Sequence, residues 1–191
     1  MLKTVKIFSC GVYHPWRYRG ETNPLARNDA NSKAMMDFKD EKNRGYDSAI
    51  KRFSNILIEA LPTYTIRQEK FVHMPFDIAI VPSHTAGRVS PALVCVAQAI
   101  VKHFPEGHVN LCLERHLSVP SAHKDNGDRS VIGHMSSIKV NGNISKGRNV
   151  LLLDDVKTTG GSMSACYYLL ESAGAGVIFP LALLETANYE E

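Results

Sequence analysis

From Val150 to Met163 the chain reads V-L-L-L-D-D-V-K-T-T-G-G-S-M, and no other segment restricts the fold as much. Val150, Leu151, Leu152 and Leu153 are consecutive branched apolar residues without polar alternation. A run that is apolar on both faces predicts a short central strand of a parallel sheet. Asp154 and Asp155 follow at the predicted carboxyl end of that strand. Val156, Lys157, Thr158, Thr159, Gly160, Gly161 and Ser162 then make a small turn rich in hydroxyls and glycine, which opens a helical stretch. Ligands of open α/β sheets bind beyond the carboxyl ends of strands. A turn that opens a helix there offers free N–H groups and the positive end of the helix dipole to an anion. The two carboxylates do not bind phosphate. They accept hydrogen bonds from a vicinal diol or hold a divalent cation. Diol acceptors placed directly before an anion cradle suit a sugar phosphate such as a ribose 5-phosphate.

The rest of the chain is consistent with one globular unit of this class. It has 191 residues, 44% hydrophobic and 21% charged, enough for a full core. A net charge of +3 suits a small anionic ligand and gives no argument for nucleic acid. No apolar run reaches membrane-spanning length, and M-L-K-T-V-K-I-F is too short and interrupted for a signal peptide. Cys10, Cys95, Cys112 and Cys166 are scattered without C-x-x-C spacing, so a disulfide framework or a zinc site is not expected. The expectation is a cytoplasmic protein with reduced thiols.

A second strand–loop–helix device precedes the first. Phe76 to Val81 reads as a strand, followed by Ser83, His84, Thr85, Ala86, Gly87 and Arg88. Ser90 and Pro91 form an N-cap and first-turn pair for a helix running to about Phe104, apolar nearly all round and therefore expected to be buried. Upstream, Thr4 to Val12 reads as a strand and Tyr13 to Asp29 as a long loop. A short helix is expected from Ser32 to Phe38. A longer amphipathic one runs from Tyr46 to Leu61 and is ended by Pro62. Val109 to Leu113 reads as a further strand. Glu114 to His134 is polar and irregular, and Met135 to Val140 reads as the returning arm of a β-hairpin. Gly174 caps the helix after the central motif, and Gly176 to Leu184 is a closing strand whose Pro180 predicts an edge position or a bulge. Recurring β-loop-α units imply a mostly parallel, doubly wound (Rossmann-like) sheet flanked by helices.

The Val150–Met163 segment strongly resembles the phosphoribosyl diphosphate (PRPP) motif of the type I phosphoribosyltransferases: four apolar residues, two acidic ones and a T-T-G-G-T type loop. The resemblance spans about residues 76–184 as a core, with residues 1–75 as a variable hood. It implies that Asp154 and Asp155 bind the ribose hydroxyls and that Lys157 to Ser162 hold the 5-phosphate. Ser83 to Arg88 would hold the diphosphate, with Gly87 allowing close approach and Arg88 pairing with its oxygens. The 114–134 region corresponds to a flexible loop that closes over the ligand, with Lys124 and Arg129 as its basic residues and Arg115 and His123 behind them. Mg²⁺ would be held mainly by substrate oxygens and water, with Asp154 and Asp155 as its protein-side candidates. In the hood, Trp16 and Tyr18 serve either to stack on an acceptor base or to pack the loop onto the core. Arg115, Arg129, Ile138 to Val140 and the Phe38-Lys39-Asp40 stretch resemble the ComF-like branch of the family. Thr158 stands where hypoxanthine-guanine enzymes carry an aspartate, which argues against a 6-oxopurine acceptor. The implied activity is transfer of 5-phosphoribosyl with release of diphosphate, and the implied partners are PRPP or a nucleoside 5-monophosphate and diphosphate. A homodimer is left open. A PRPP- or nucleotide-binding regulator on the same fold is the alternative, and a hydrolase using the acidic pair a third reading. The D-x-D-x-T nucleophile pattern is not met, because Val156 stands at its second carboxylate.

Overall fold

The structure is a computed structural model that describes residues 2–18, 20–119, 130–142 and 144–189. The chain opens with strands β1 (Phe8–Ser9), β2 (Val12–Tyr13), β3 (Arg17–Tyr18) and β4 (Glu21–Thr22). Helices α1 (Pro24–Asn28), α2 (Ala30–Phe38) and α3 (Tyr46–Ala60) follow, then a small hairpin of β5 (Thr65–Ile66) and β6 (Glu69–Lys70). Next come β7 (Phe76–Ile80), α4 (Pro91–His103), β8 (Gly107–Val109) and β9 (Leu113–Arg115). The chain then runs through α5 (Val131–Met135), β10 (Ile138–Val140), β11 (Asn149–Lys157), α6 (Gly161–Ser172) and β12 (Ile178–Thr186).

The main sheet has the order β1-β12-β11-β7-β8, with β2 also paired to β12, and every one of these pairs is parallel. The apolar run lies at its centre. Successive strand side chains point to opposite faces, so a strand apolar at every position fills two cores at once. Ile78, Ile80, Leu151, Leu153, Leu181 and Leu183 pack with Phe53 and Leu57 of α3 and Val96 and Ile100 of α4. Ala79, Val81, Val150, Leu152 and Ala182 pack on the other face with Met163, Cys166 and Leu170 of α6. This is the helix-flanked, mostly parallel sheet that the pattern predicts. Helix α4 starts as its sequence dictates, with Ser90 Oγ accepting from Leu93 N–H at 3.3 Å and Pro91 in the first turn. It is not buried all round: Cys95 and Gln98 face solvent, because the sheet covers only one side.

Five other expectations change. The first strand splits into β1 and β2, which pair with β12 on either side of Cys10-Gly11. The Tyr13–Asp29 loop contains the β3–β4 hairpin and α1. The strand expected at Val109–Leu113 is two strands in two sheets. Asn110 breaks it, its side-chain amide donating to Asp77 Oδ2 at 2.9 Å. β8 ends at Val109 in the main sheet, and β9 pairs antiparallel with β10. Of the returning arm expected over Met135–Val140, only Ile138–Val140 is strand; Met135 ends α5, which begins at Val131 inside the stretch expected to be irregular. Lastly, Pro180 is inside a central strand rather than on an edge. β1 pairs with β12 only from Leu181 onward, so no neighbour on that side asks Pro180 for an N–H. Among the described residues no helix is long and apolar enough to cross a membrane, and all four cysteines are free thiols.

Candidate active site

The sheet splits at the acidic pair. β7 pairs with β11 as far as Ile80↔Leu153, with Val81 N–H donating to Leu153 C=O at 2.9 Å. β12 continues beside β11 to Glu185↔Lys157. Asp154 and Asp155 are therefore inside the strand rather than after it, at the point where β11 keeps a neighbour on one side only. The Ser83–Arg88 loop and the Thr158–Ser162 loop leave the carboxyl ends of the adjacent strands β7 and β11.

The two carboxylates turn back onto their own backbone. Asp155 N–H donates to Asp154 Oδ1 at 2.8 Å, and Val156 N–H donates to Asp155 Oδ1 at 2.6 Å. Lys39, on the turn after α2, places its Nζ 3.2 Å from Asp155 Oδ2. Burial pushes the Asp154 carboxyl up to about 8, with the like charge of Asp155 adding to it, while the Asp155 amide, Lys39 and Arg115 act in the other direction. One member of the pair thus sits in an environment that favours its proton, and the other is ion-paired.

This sets a pH dependence. Unfolded, Asp154 titrates near 3.9; folded, desolvation and the neighbouring Asp155 charge move its carboxyl well above that. Between those values the folded state binds more protons, so the contribution of Asp154 to stability falls as pH rises through the window. Asp154→Asn removes that slope. In paired melting scans its Tm is expected to exceed that of the parent by several degrees at pH 8.5 and to match it near pH 4.

The glycine loop opens α6 without a side-chain cap. Gly160, at the N-cap of α6, has φ +77° and ψ 4°, and no side chain caps the helix. Ser164 is the first residue of the helix to donate back, N–H to Gly160 C=O at 2.9 Å. Among the described residues, the N–H groups of Gly161, Ser162 and Met163 meet no acceptor within hydrogen-bond distance. These are the orphan donors that a helix start presents. A Cβ on Gly160 would sit 2.7 Å from Ile7 Cδ1. Gly160→Ala therefore meets both the left-handed backbone penalty and this contact, together about 1–3 kcal/mol. A lowered Tm and at least a tenfold weaker ribose 5-phosphate titration are expected. Lys157 points elsewhere: its Nζ pairs with Glu185 Oε2 at 3.0 Å, and Ser9 Oγ donates to the same oxygen at 3.3 Å.

The Ser83–Arg88 loop is largely self-satisfied. Ser83 N–H donates to Arg88 C=O, Thr85 N–H to Ser83 Oγ, and Arg88 N–H to Thr85 C=O. Ala86 N–H donates to Ser118 Oγ, and Gly87 (φ +69°) donates to Arg115 C=O. In this arrangement His84 and Arg88 carry the loop's exposed basic side chains. Lys124, Arg129 and His123 lie outside the described residues. Arg115 does not belong with them: it is 1% exposed, its Nε donating to Ser83 C=O at 2.6 Å and its Nη1 to Ser137 Oγ. Burial lowers its pKa against the opposing pull of Cys166 and Asp154. Trp16 is 38% exposed, with the Arg27 guanidinium 5.7 Å from its ring; the Tyr18 side chain lies outside the described groups.

Two residues join the site that the chemistry of the motif did not single out. Lys39 was visible only as part of Phe38-Lys39-Asp40. His134 comes from α5, where Ser130 caps the helix by accepting from Gly133 N–H at 3.0 Å, and its ring nitrogens stand 3.3 Å from Ser162 Oγ. The Ser130 cap followed by Val131-Ile132 was the available signal. Among the described residues no three His, Cys, Asp or Glu side chains are grouped to hold a metal ion. The donor set present, Asp154 and Asp155, fits a magnesium ion brought in by substrate oxygens and water.

No protein-family model matches the chain. A block of 42 residues is 50% identical to the adenine phosphoribosyltransferase of Dichelobacter nodosus (strain VCS1703A), covering 22% of this chain and about a quarter (24%) of that relative's length. Similar solved structures include the adenine phosphoribosyltransferase of Saccharomyces cerevisiae complexed with D-2,5-dideoxy-2,5-imino-altritol 1,6-bisphosphate and adenine. It has 18% identity and a TM-score of 0.40, over 76% of this chain and 71% of that one. The orotate phosphoribosyltransferase of Aeropyrum pernix has 20% identity and a TM-score of 0.42, over 76% and 65%. All three are phosphoribosyltransferases, the superfamily that the Val150–Met163 motif resembles.

Proposed function

We propose that the protein binds Mg²⁺-PRPP and transfers its 5-phosphoribosyl group to a nitrogen nucleophile, releasing diphosphate. The observation that carries this reading is the succession along β11 and its loop: an acidic pair at the sheet split, then a glycine turn whose helix-start N–H groups meet no acceptor among the described residues. The 42-residue block shared with an adenine phosphoribosyltransferase supports it. In the reaction the bond from the anomeric carbon to diphosphate breaks, the acceptor nitrogen bonds to that carbon, and the nitrogen's proton leaves. Asp154 and Asp155 face the ribose hydroxyls, and Asp155, the ion-paired member, places negative charge near the anomeric carbon as positive charge develops there. The Thr158–Ser162 loop holds the 5-phosphate. His84 and Arg88 would face the diphosphate, and a magnesium ion held by substrate oxygens, water and the Asp154–Asp155 pair would supply positive charge to this leaving group. Lys124 and Arg129 are proposed to close over it and exclude water. Residues 76–184 form the catalytic core in this reading, and residues 1–75 shape the acceptor side. Membership of the ComF-like branch remains part of the proposal, supported by Lys39 reaching Asp155.

The test is diphosphate release from PRPP and Mg²⁺ over a panel of adenine, hypoxanthine, guanine and orotate. Release that depends on one base identifies the acceptor. Thr158 predicts that hypoxanthine and guanine are poor ones. Phosphate release from simple esters without PRPP would instead support hydrolysis by the acidic pair.

A further inference from the structure

Two adjacent carboxylates at the ligand end of a sheet repel each other unless a cation answers them, and a distant element supplies one here. Lys39 is the C-cap residue of α2, where its N–H donates to Met35 C=O at 3.3 Å. Phe38 beside it is 2% exposed and meets Phe53 edge-on at 5.3 Å, so the backbone of Lys39 is anchored to the core. Its side chain, a flexible four-carbon stem, is 46% exposed. Asp154 Oδ1 accepts from Asp155 N–H and Asp155 Oδ1 accepts from Val156 N–H, so Oδ2 is the oxygen of Asp155 left to face a cation. Lys39 Nζ stands 3.2 Å from that oxygen and 5.8 Å from the centre of the Tyr13 ring. The ammonium thus has two resting places within reach, a carboxylate and an aromatic ring.

Magnesium binds a carboxylate oxygen at about 2.0–2.1 Å. On Asp155 Oδ2 it would lie within about 5 Å of the ammonium already paired with that oxygen. Two positive ions at that distance repel. Diphosphate oxygens bring negative charge that offsets the repulsion, and the bare ion brings none. We propose that Lys39 is the resident counter-ion of the acidic pair: it holds the Asp155 Oδ2 position in the ligand-free protein and yields it to magnesium that arrives with substrate, so that the metal binds together with PRPP rather than before it. This rests on the reading of the acidic pair as the ribose and magnesium side of a PRPP site. The exchange is a mild one, because an ion pair this exposed is worth only a few-fold in affinity, and the Tyr13 ring receives the displaced ammonium.

The experiment is a calorimetric titration of the full-length protein with MgCl₂ alone and, separately, with preformed Mg²⁺-diphosphate. Ionic strength is held constant, because salt screens an exposed pair. It is done for the parent, Lys39→Met, Lys39→Arg, Asp155→Asn and the double variant Lys39→Met/Asp155→Asn, with thermal melts in EDTA to confirm that each is folded. Lys39→Met keeps the stem and removes the charge, and is expected to bind the bare ion about three- to tenfold more tightly than the parent. For Mg²⁺-diphosphate it should stay within about twofold of the parent. Lys39→Arg keeps the charge and should match the parent. The double variant should bind magnesium no more tightly than Asp155→Asn, because Lys39 acts through that carboxylate. No tightening by Lys39→Met, equal tightening for both ligands, or a gain that survives in the Asp155→Asn background would each overturn the proposal. Binding of the bare ion too weak to measure in both parent and Lys39→Met counts as no tightening. If the parent shows no thermal shift with Mg²⁺-PRPP, the substrate half of the proposal falls with the PRPP reading; the bare-ion titration contains no sugar and decides separately whether Lys39 guards Asp155.

Discussion

Arg115→Ala is expected to lower folding stability by about 2–4 kcal/mol. The residue is one of the largest fully buried side chains, and it serves backbone and hydroxyl acceptors on both sides of the site. Removing it strands Ser83 C=O, at about 1–3 kcal/mol for a buried group left unsatisfied, and takes one partner from Ser137 Oγ, which still donates to His134 C=O. It also leaves a cavity where the long side chain lay. Part of that loss is offset, because a buried guanidinium already carries a desolvation penalty, visible as its lowered pKa. Arg115→Met keeps most of the volume and removes only the donors, so it should fall between Ala and the parent in urea unfolding. If Met is as damaging as Ala, the hydrogen bonds dominate; if both match the parent, the strut has no structural weight. An arginine of the mobile, ligand-closing kind would behave in the opposite way, with turnover falling and stability intact.

Asp155→Asn is expected to weaken PRPP binding by about 10–100-fold while leaving the melting temperature nearly unchanged. A charge-assisted hydrogen bond is worth roughly 1.5–3 kcal/mol, which is about that change in affinity. The Lys39–Asp155 pair lost at the same time is partly solvent-exposed, 46% and 27% for the two side chains, and worth only about 0.2–1 kcal/mol. Removing the charge also relieves Asp154, whose raised pKa owes part of its shift to Asp155. Its carboxyl should then ionise at lower pH. A calorimetric titration at fixed Mg²⁺ separates these effects. Unchanged affinity would remove the ribose-diol role from Asp155.

The central strand and its loop were legible because several rules agreed there. An apolar run at every position means two covered faces, and a glycine-hydroxyl turn before a helix means free N–H groups. α3 and α4 were equally clear, since Pro62 and the Ser90-Pro91 pair mark their ends. Pro180 misled, because a proline is excluded from a sheet only where a neighbour needs its N–H, and the short length of β1 is not written in the β12 sequence. Val109 to Leu113 misled for a related reason: its apolar residues serve two sheets, and the break depends on Asn110 finding Asp77 33 residues away. Arg115 looked like a solvent-facing loop residue because a buried arginine is recognised only by its acceptors, which come from Ser83 and Ser137. His134 was silent for the same reason, since its partner Ser162 lies 28 positions along the chain.

The most direct test of PRPP recognition is thermal stability with Mg²⁺-PRPP, set against ribose 5-phosphate, diphosphate and AMP. A ligand at ~100 times its dissociation constant adds about 2.7 kcal/mol. For a chain of this size that is a rise in Tm of about 5–10 °C. The account predicts the largest shift with Mg²⁺-PRPP, a smaller one with ribose 5-phosphate, and loss of both in Gly160→Ala. No shift with any of the four ligands, or a PRPP shift that survives intact in Gly160→Ala, would contradict it.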